Sequence, residues 1–258
     1  MPFPKLIAFD LDDTLAPSKS PMDPRMAELM IRLLDAAQVC VISGGQINQF
    51  RTQFVDSLPR AEADTLGRLH LMPTCGTQYY RYTDDDWQQV YAENLTAAER
   101  DSALAAVERI AKELGFWESE TWGPILEDRG SQVTFSALGQ VAPVHAKSQW
   151  DPTGEKKNSL RDAVQAELPG LEVRSGGSTS VDITRRGIDK AFGMRRLADM
   201  TRISLDDMLF IGDRLDENGN DYPVKLLGVR CIEVDNWEHT VEVVGGLLDD
   251  ATVTAETR

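Results

Sequence analysis

Two short apolar segments, far apart in the chain, are the features that most constrain its fold. KLIAFD (5–10) and DMLFIGD (207–213) each have the length and composition of a buried strand, and they end in Asp10 and Asp213. A helical pattern, another apolar run and a second helical pattern follow the first segment, and similar alternation returns near the C-terminus. Such alternation favours a parallel sheet with helices on its faces.

The middle of the sequence has a different pattern. Pairs of short strand-like segments, such as TQYYRYT and WQQVYAE, occur together with two helical segments. This arrangement indicates an α+β unit with an antiparallel sheet. We therefore predict an α/β core formed by residues 1–82 and 186–258, interrupted by an inserted α+β domain at residues 83–185.

The composition excludes some partners. The 258 residues include 27 Lys and Arg against 42 Asp and Glu, a net charge of −15, so a nucleic-acid backbone would be repelled. An anionic ligand would need local cations or a metal. No apolar run reaches the length of a membrane-spanning helix, and the three cysteines form neither a disulfide framework nor a zinc pattern. We expect a cytoplasmic protein with no nucleic-acid or membrane partner.

Polar residues follow the first two predicted strands, at the edge where open parallel sheets bind ligands. In FDLDDTL, Asp10 and Asp12 are spaced to share a cation, although acidic pairs of this kind also occur in solvated loops. Ser43 and Gly44 follow the second strand. A hydroxyl and backbone N–H groups there would suit a phosphate oxygen, or would simply cap a helix and form a turn.

Two later segments add polar groups to the same predicted edge. Lys190 begins a predicted helix and either points to this edge or lies on the surface. Asp213, Asn220 and Asp221 supply further oxygen ligands or form a polar turn. Taken together, these positions predict a Mg²⁺ site that neutralises a phosphate and the carboxylate attacking it, with Ser43 and Lys190 holding the other phosphate oxygens.

These motifs resemble those of the haloacid dehalogenase-like superfamily of phosphotransferases. FDLDDTL is similar to the family motif DxDx[TV], and Ser43, Lys190 and the GD…ND segment follow in the family's order. The resemblance implies a Rossmann-like parallel-sheet core, and the position of the insertion implies the C2-type cap of subfamily IIB. SGGSTSVDITRRGIDKAFGM and GDRLDENGNDYP also resemble the phosphomannomutase-like branch.

The resemblance implies two-step phosphoryl transfer, in which a cap closes over the site. Asp10 would attack phosphorus and form an aspartyl phosphate, while Asp12 would act first as general acid and then as general base. The implied Mg²⁺ ligands are Asp10, Asp12 (through its backbone carbonyl), Asp213 and Asp221. The implied phosphate-binding residues are Ser43, Gly44, Lys190 and Asn220.

The cap residues bear on the choice between two reactions. In the mutases of this branch, cap arginines bind the second phosphate of a hexose bisphosphate; Arg129 matches the first of these positions, whereas Gln140 and Lys147 stand at the other two. Ser180 and Asp182 match cap residues that contact the sugar phosphate. A weakened second phosphate site favours a phosphatase acting on a phosphorylated sugar or a similar small metabolite, because glutamine has no charge and lysine lacks the planar fork of arginine.

Other functions remain as alternatives at this stage. The first is a mutase that interconverts hexose 1- and 6-phosphates. A non-catalytic phosphosugar-binding protein would be expected to lose Asp10 or Asp12, and the DxD spacing and large insertion argue against a receiver domain. The sequence leaves open the exact substrate and whether the protein is a monomer or a homodimer.

Overall fold

The computed structural model describes residues 3–59 and 62–256, which divide into two compact units. Unit 1 comprises residues 1–91 and 188–258, and unit 2 comprises residues 92–187. The strands are β1 (Leu6–Phe9), β2 (Gln38–Ile42), β3 (Leu69–Met72), β4 (Gln78–Thr83), β5 (Asp86–Ala92), β6 (Leu126–Asp128), β7 (Gln132–Ser136), β8 (Leu171–Ser175), β9 (Ser180–Arg185), β10 (Met208–Gly212) and β11 (Arg230–Glu233). The helices are α1 (Pro24–Ala36), α2 (Ile47–Gln53), α3 (Ala63–Leu66), α4 (Pro73–Gly76), α5 (Ala97–Glu113), α6 (Val144–Trp150), α7 (Glu155–Glu167), α8 (Lys190–Thr201), α9 (Tyr222–Leu226) and α10 (Trp237–Glu256), with short 3₁₀ turns at Val55–Ser57 and Leu205–Asp207.

Unit 1 is built on a seven-stranded sheet in the order β11-β10-β1-β2-β3-β4-β5. The pairs from β11 to β3 are parallel, and β4 then runs antiparallel to β3. The sequence-based prediction of an α/β fold with a parallel-rich core sheet is therefore confirmed.

Both faces of the central strands are buried, which explains why they appear in the sequence as continuous apolar runs. In β1, Ile7 and Phe9 pack with residues of α1 and α10, whereas Leu6 and Ala8 pack with residues of α8 on the opposite face. Fully burying an apolar side chain of this size contributes roughly 1.5–3 kcal/mol. Helix layers on both faces leave the carboxyl edge of the sheet for the polar residues.

The hairpin of β4 and β5 belongs to unit 1. The two strands are neighbours in the core sheet and are joined through Asp84 and Asp85, which both have positive φ, as a two-residue hairpin turn requires. The sequence prediction ends the first core segment at residue 82, whereas unit 1 continues to residue 91. β5 is mostly exposed, so its sequence does not distinguish an edge strand of the core sheet from a strand of the insertion.

Unit 2 has a four-stranded antiparallel sheet in the order β6-β7-β9-β8. One face, which includes Val133, Phe135 and Ile183, packs on apolar residues of α5 and α7. At the start of α5, the Thr96 Oγ1 accepts the N–H of Glu99 and the Glu99 carboxylate accepts the N–H of Thr96, which together form a capping box. Unit 2 ends at residue 187, whereas the insertion predicted from the sequence ends at residue 185.

No helix within residues 3–59 and 62–256 combines the length and the apolar character needed to cross a membrane.

Candidate active site

The carboxyl ends of β1 and β10 bring two predicted site residues together. The strands are parallel neighbours with Phe9 paired to Ile211, and the backbone N–H of Asp10 donates to the Ile211 carbonyl at 3.0 Å. Asp10 and Asp213 thus follow adjacent strands at the same edge of the sheet, where parallel sheets bind ligands.

Asp221 forms a cluster of three carboxylates with Asp10 and Asp213, in which one oxygen of each lies within 4.8 Å of the others. Asp221 is fully buried at the start of α9, and its Oδ2 accepts the backbone N–H of Arg214 at 3.2 Å. Gly212 leaves room for this side chain, because a Cβ at that position would lie 2.4 Å from Asp221 Oδ2.

Lys190 extends into this cluster from the first residue of α8. Asp189 caps the helix by accepting the N–H of Phe192 at 2.8 Å, which fixes where the helix begins. Lys190 has no solvent-exposed surface, and its Nζ lies 2.6 Å from Asp10 Oδ1 and 2.5 Å from Asp221 Oδ1. The sequence allows this lysine to point to the sheet edge or to lie on the surface, and in the structure it points to the sheet edge.

Burial and charge act in opposite directions on these groups. Burial by itself lowers the pKa of Lys190, but the carboxylates of Asp10 and Asp221 outweigh it and raise that pKa above its usual value. Burial raises the pKa of Asp10 well above its usual range, against the opposing charge of Lys190. Burial and then Asp221 also raise the pKa of Asp213, whose Oδ1 accepts a hydrogen bond from Thr14 Oγ1 at 3.2 Å.

The cluster has the chemistry of a cation site. Three carboxylates surround one ammonium group, so the ionised cluster carries more negative than positive charge. Uncompensated buried charge is costly, and an all-oxygen ligand set suits a hard divalent cation. The residues present therefore fit a metal of this class.

Asp12 does not join the carboxylate cluster through its side chain. Its carboxylate faces α2, where it accepts hydrogen bonds from Gln49 Nε2 at 2.8 Å and Gln53 Nε2 at 3.1 Å. Neither glutamine is among the residues predicted from the sequence, although their i,i+4 spacing on the helix after the glycine pair is a detectable signal. Asp13 has φ 60°, the left-handed conformation of a turn, and contributes no oxygen to the cluster.

Ser43 and Gly44 lie at the end of β2. Ser43 is buried, and its Oγ accepts the N–H of Gly45 at 3.3 Å. A Cβ at Gly44 would meet no atom within 4 Å, so this backbone borders open space. A loop with an accessible backbone beside a buried hydroxyl has the features of a phosphate-binding loop.

A strained turn supports this loop from the end of β3. Thr74 and Cys75 both have positive φ, 49° and 55°, and their N–H groups donate to the carbonyls of Gly45 at 3.0 Å and Ser43 at 2.9 Å. A Cβ on Gly193 in α8 would lie 2.8 Å from the Cys75 carbonyl oxygen. The close approach of α8, which also carries the lysine of the cluster, therefore requires glycine at this position.

Asn220 is another predicted core residue whose side chain lies apart from the carboxylate cluster. It lies in the loop between β10 and α9 and is exposed, whereas the next residue, Asp221, is fully buried. The structure brings Asp10, Asp213, Asp221 and Lys190 into contact, but it gives Asn220 no position in that cluster.

In unit 2, Asp182 lies at the centre of the polar face of the sheet. Its Oδ1 accepts hydrogen bonds from Gln132 Nε2 at 2.8 Å and Thr134 Oγ1 at 2.7 Å. A Cβ at Gly176 would lie 2.7 Å from both Asp182 Oδ2 and Ser180 Oγ, so the two predicted cap residues are close neighbours. Gln132 and Thr134 are not among the residues predicted from the sequence.

Arg129 is held within the same unit by Glu127. One Nη lies 2.6 Å from Glu127 Oε2, and the side chains are 10% and 20% exposed. The same guanidinium reaches Gln140 Oε1 at 3.4 Å. Lys147 lies on α6, outside the sheet, and is half-buried.

Comparisons with known proteins identify a similar family and similar relatives. A family profile described as haloacid dehalogenase-like hydrolase matches residues 144–223. The chain is 25% identical over 244 residues to a phosphomannomutase of Spinacia oleracea, with 86% of each protein covered, and 23% identical over 242 residues to phosphomannomutase 1 of Homo sapiens, with 85% and 82% covered.

Solved structures share the fold at low sequence identity. An N-terminally truncated IMP-nucleotidase of Plasmodium falciparum superimposes with a TM-score of 0.71 at 14% identity, covering 95% of this chain and 70% of that one. A haloacid dehalogenase-like hydrolase of Bacteroides thetaiotaomicron gives a TM-score of 0.59 at 16% identity, covering 94% and 99%.

Fold, carboxylate cluster and relatives together indicate the class: an enzyme that acts on phosphate esters. The family profile and the relatives support the haloacid dehalogenase-like superfamily and, within it, the phosphomannomutase-like branch.

Proposed function

We propose that this enzyme is a Mg²⁺-dependent phosphatase that releases inorganic phosphate from a phosphorylated sugar or a similar small metabolite. The observation that carries the proposal is the buried contact between Lys190 and Asp10 beside two further carboxylates. It joins a nucleophile, a cation that attracts phosphate and a set of metal ligands at one edge of the sheet.

In the first proposed step, an oxygen of Asp10 forms a bond to phosphorus. The bond from phosphorus to the substrate's ester oxygen breaks, and its electron pair goes to that oxygen, which takes a proton from Asp12. The products are the free alcohol and an aspartyl phosphate on Asp10. Protonation of the leaving oxygen matters most for an alkyl phosphate, because an alkoxide is a poor leaving group.

In the second proposed step, water attacks phosphorus and gives its proton to Asp12. The phosphorus–Asp10 bond breaks with its electron pair returning to the carboxylate, and inorganic phosphate leaves. Asp12 is again protonated and Asp10 is again ionised, so the enzyme ends as it began.

The binding of phosphate needs positive charge, because the carboxylate cluster would repel it. Lys190 supplies one charge, and we propose that Ser43, Gly44 and Asn220 also bind phosphate oxygens. The proposed Mg²⁺ ligands are Asp10, Asp213 and Asp221, with the Asp12 backbone carbonyl. When bound, the metal supplies charge that offsets repulsion between the phosphate and its nucleophile.

Arg129, Lys147, Ser180 and Asp182 remain our proposed contacts for the part of the substrate beyond the phosphate. The pairing of Arg129 with Glu127 supports a phosphatase rather than a mutase. A mutase must bind a bisphosphate in both orientations, and a guanidinium already paired with a carboxylate binds a second phosphate less strongly. We also propose a cytoplasmic location, because three free cysteines suit a reducing compartment.

The second candidate is a phosphohexomutase that interconverts hexose 1- and 6-phosphates. The similarity to phosphomannomutases over most of both chains favours it. Mutase and phosphatase share the first step and differ in whether water or a second sugar hydroxyl receives the phosphoryl group.

A panel of sugar monophosphates, assayed with Mg²⁺ in the presence and absence of glucose 1,6-bisphosphate, separates the two candidates. We expect phosphate release that equals substrate loss and does not need the bisphosphate. Accumulation of an isomeric sugar phosphate, stimulated by the bisphosphate and with little phosphate release, would replace the phosphatase by the mutase. Asp10→Asn should eliminate either activity while leaving the protein folded.

A further inference from the structure

The two oxygens of the Asp12 carboxylate accept hydrogen bonds from different glutamines of α2. Gln49 Nε2 donates to Oδ2 at 2.8 Å, and Gln53 Nε2 donates to Oδ1 at 3.1 Å. The backbone N–H of Lys19, in the loop between β1 and α1, also donates to Asp12 Oδ1 at 2.9 Å. The carboxylate is therefore held from both sides, which fixes its plane as well as its position.

The two amides also hold each other. Gln49 Nε2 donates to Gln53 Oε1 at 3.0 Å, and Gln53 Nε2 donates to the Pro17 carbonyl at 3.3 Å. Each amide nitrogen has two hydrogens, so both donors of each glutamine have an acceptor. This arrangement fixes which way each amide faces, because turning either one would set oxygen against oxygen.

The local sequence makes this arrangement possible. Residues 49 and 53 are one helical turn apart and therefore share a face of α2. Gln53 is only 2% exposed, which is unusual for a glutamine with no structural or functional role. Gly45 leaves space for the Gln49 side chain, since a Cβ at position 45 would lie 2.4 Å from Gln49 Oε1.

We propose that Gln49 and Gln53 are positioning residues, which hold the Asp12 carboxylate in line with the ester oxygen during proton transfer. The inference rests on the proposed phosphatase function. A general acid must lie within hydrogen-bonding reach of the atom that it protonates, so a carboxylate free to rotate would transfer the proton less often. Among the residues described, neither amide donates to Asp10 or Lys190, so their removal leaves the nucleophile's contacts in place.

Leaving-group dependence tests this role. We would compare kcat/KM for two substrates. One is 4-nitrophenyl phosphate, whose leaving group needs little protonation, and the other is a sugar monophosphate that the wild type hydrolyses. kcat/KM covers the steps up to aspartyl-phosphate formation, where leaving-group protonation occurs. For Gln49→Leu and Gln53→Leu we expect a loss of roughly 10- to 100-fold with the sugar phosphate, but only a few-fold with the aryl phosphate.

The controls separate positioning from folding and from the function itself. Thr52→Ala, on the exposed side of α2, should leave both rates unchanged. If the buried Gln53→Leu change unfolds the protein, the half-buried Gln49→Leu change alone carries the test. Equal losses for both substrates, or no loss with either, would overturn the positioning role while leaving the phosphatase in place. A wild-type protein that releases phosphate from neither compound would overturn the proposed function and this inference with it.

Discussion

Lys190 Nζ lies 2.6 Å from Asp10 Oδ1, with the two side chains 0% and 6% exposed. The contact joins the start of α8 to the end of β1, two segments that are far apart in the sequence. Because the neighbouring carboxylates raise the pKa of Lys190, its ammonium group stays charged although it is buried. The same contact therefore stabilises unit 1 and, in the proposed mechanism, also supplies the charge that binds phosphate.

Replacing this lysine should damage stability as well as activity. Lys190→Met would leave the carboxylates of Asp10 and Asp221 buried without their cation, and breaking a buried ion pair costs about 3–5 kcal/mol. We expect phosphate release to fall to background and Tm to drop in metal-free buffer. Because a divalent cation would replace part of the lost charge, Mg²⁺ should raise the Tm of the variant more than that of the wild type. Equal Mg²⁺ shifts would argue against a metal at this cluster.

Gly212 should be intolerant of even one added methyl group. In Gly212→Ala, the new Cβ would lie 2.4 Å from Asp221 Oδ2 and 2.7 Å from Phe210 Cε1, so one of them must move. We expect a loss of about 1–3 kcal/mol in the free energy of unfolding, together with weaker Mg²⁺ binding measured by calorimetry.

Gly246→Ala is the matched control for this change. It lies within α10, and an added Cβ would meet no atom within 4 Å. Alanine favours a helix by about 0.5–1 kcal/mol over glycine, so this variant should be slightly more stable and fully active. If both alanine variants behaved alike, the close approach at Gly212 would not be the cause.

His70 should make unit 1 sensitive to acid. Its ring is buried between Tyr79 Oη at 2.7 Å and Gln38 Oε1 at 2.8 Å, which suits a neutral imidazole. Burial, aided by the charge of Arg81, lowers its pKa from 6.5 to about 3. Between these pH values the unfolded chain binds one more proton than the folded chain. The contribution of neutral His70 to stability is therefore complete above pH 6.5 and is lost as the pH falls towards 3.

His70→Gln removes this titration while keeping a hydrogen-bonding side chain. Denaturant unfolding between pH 7.5 and pH 5 would measure the effect. We expect the wild-type free energy of unfolding to fall more steeply with decreasing pH, by up to about 1.4 kcal/mol per pH unit, than that of the variant. Parallel curves would contradict a neutral buried His70.

The Arg129–Glu127 pair predicts how a second phosphate would bind. Glu127→Gln removes the carboxylate beside the guanidinium, so we expect a several-fold lower Kd for a hexose bisphosphate, measured by calorimetry. Glu172→Gln is the control. Glu172 and Arg174 form an ion pair at 2.8 Å, and both lie on β8 of the same sheet. A Kd that changes equally in both variants would indicate a general charge effect rather than release of Arg129.

Much of the core fold could be predicted because its signals are local. Apolar runs that end in Asp10 and Asp213 indicate buried parallel strands, and adjacent parallel strands bring such residues to one edge. The sequence alone assigns the hairpin strand β5 to the insertion. An exposed edge strand has the same alternation of polar and apolar residues in either sheet. Strand pairing, not the strand's own sequence, decides that assignment.

The contacts of Asp12 could not be predicted for a similar reason. Its spacing from Asp10 suggests a shared cation, whereas the direction of its side chain depends on where α2 lies against the loop. The pairing of Arg129 with Glu127 was not predicted either, although Arg129 directly follows β6 and stands two residues after Glu127. Which partner a guanidinium takes still depends on the neighbouring strands.

In the proposed mechanism Asp10 carries the phosphoryl group, and this intermediate can be trapped. We would mix the wild type and Asp12→Asn with 4-nitrophenyl phosphate and Mg²⁺, quench with acid during turnover and map the modified peptide by mass spectrometry. We expect one phosphoryl group on Asp10 in the wild type and none in Asp10→Asn. In Asp12→Asn the same adduct should accumulate, because the second step lacks its base. A phosphoryl group on another residue, or turnover by Asp10→Asn at the wild-type rate, would contradict the proposed mechanism.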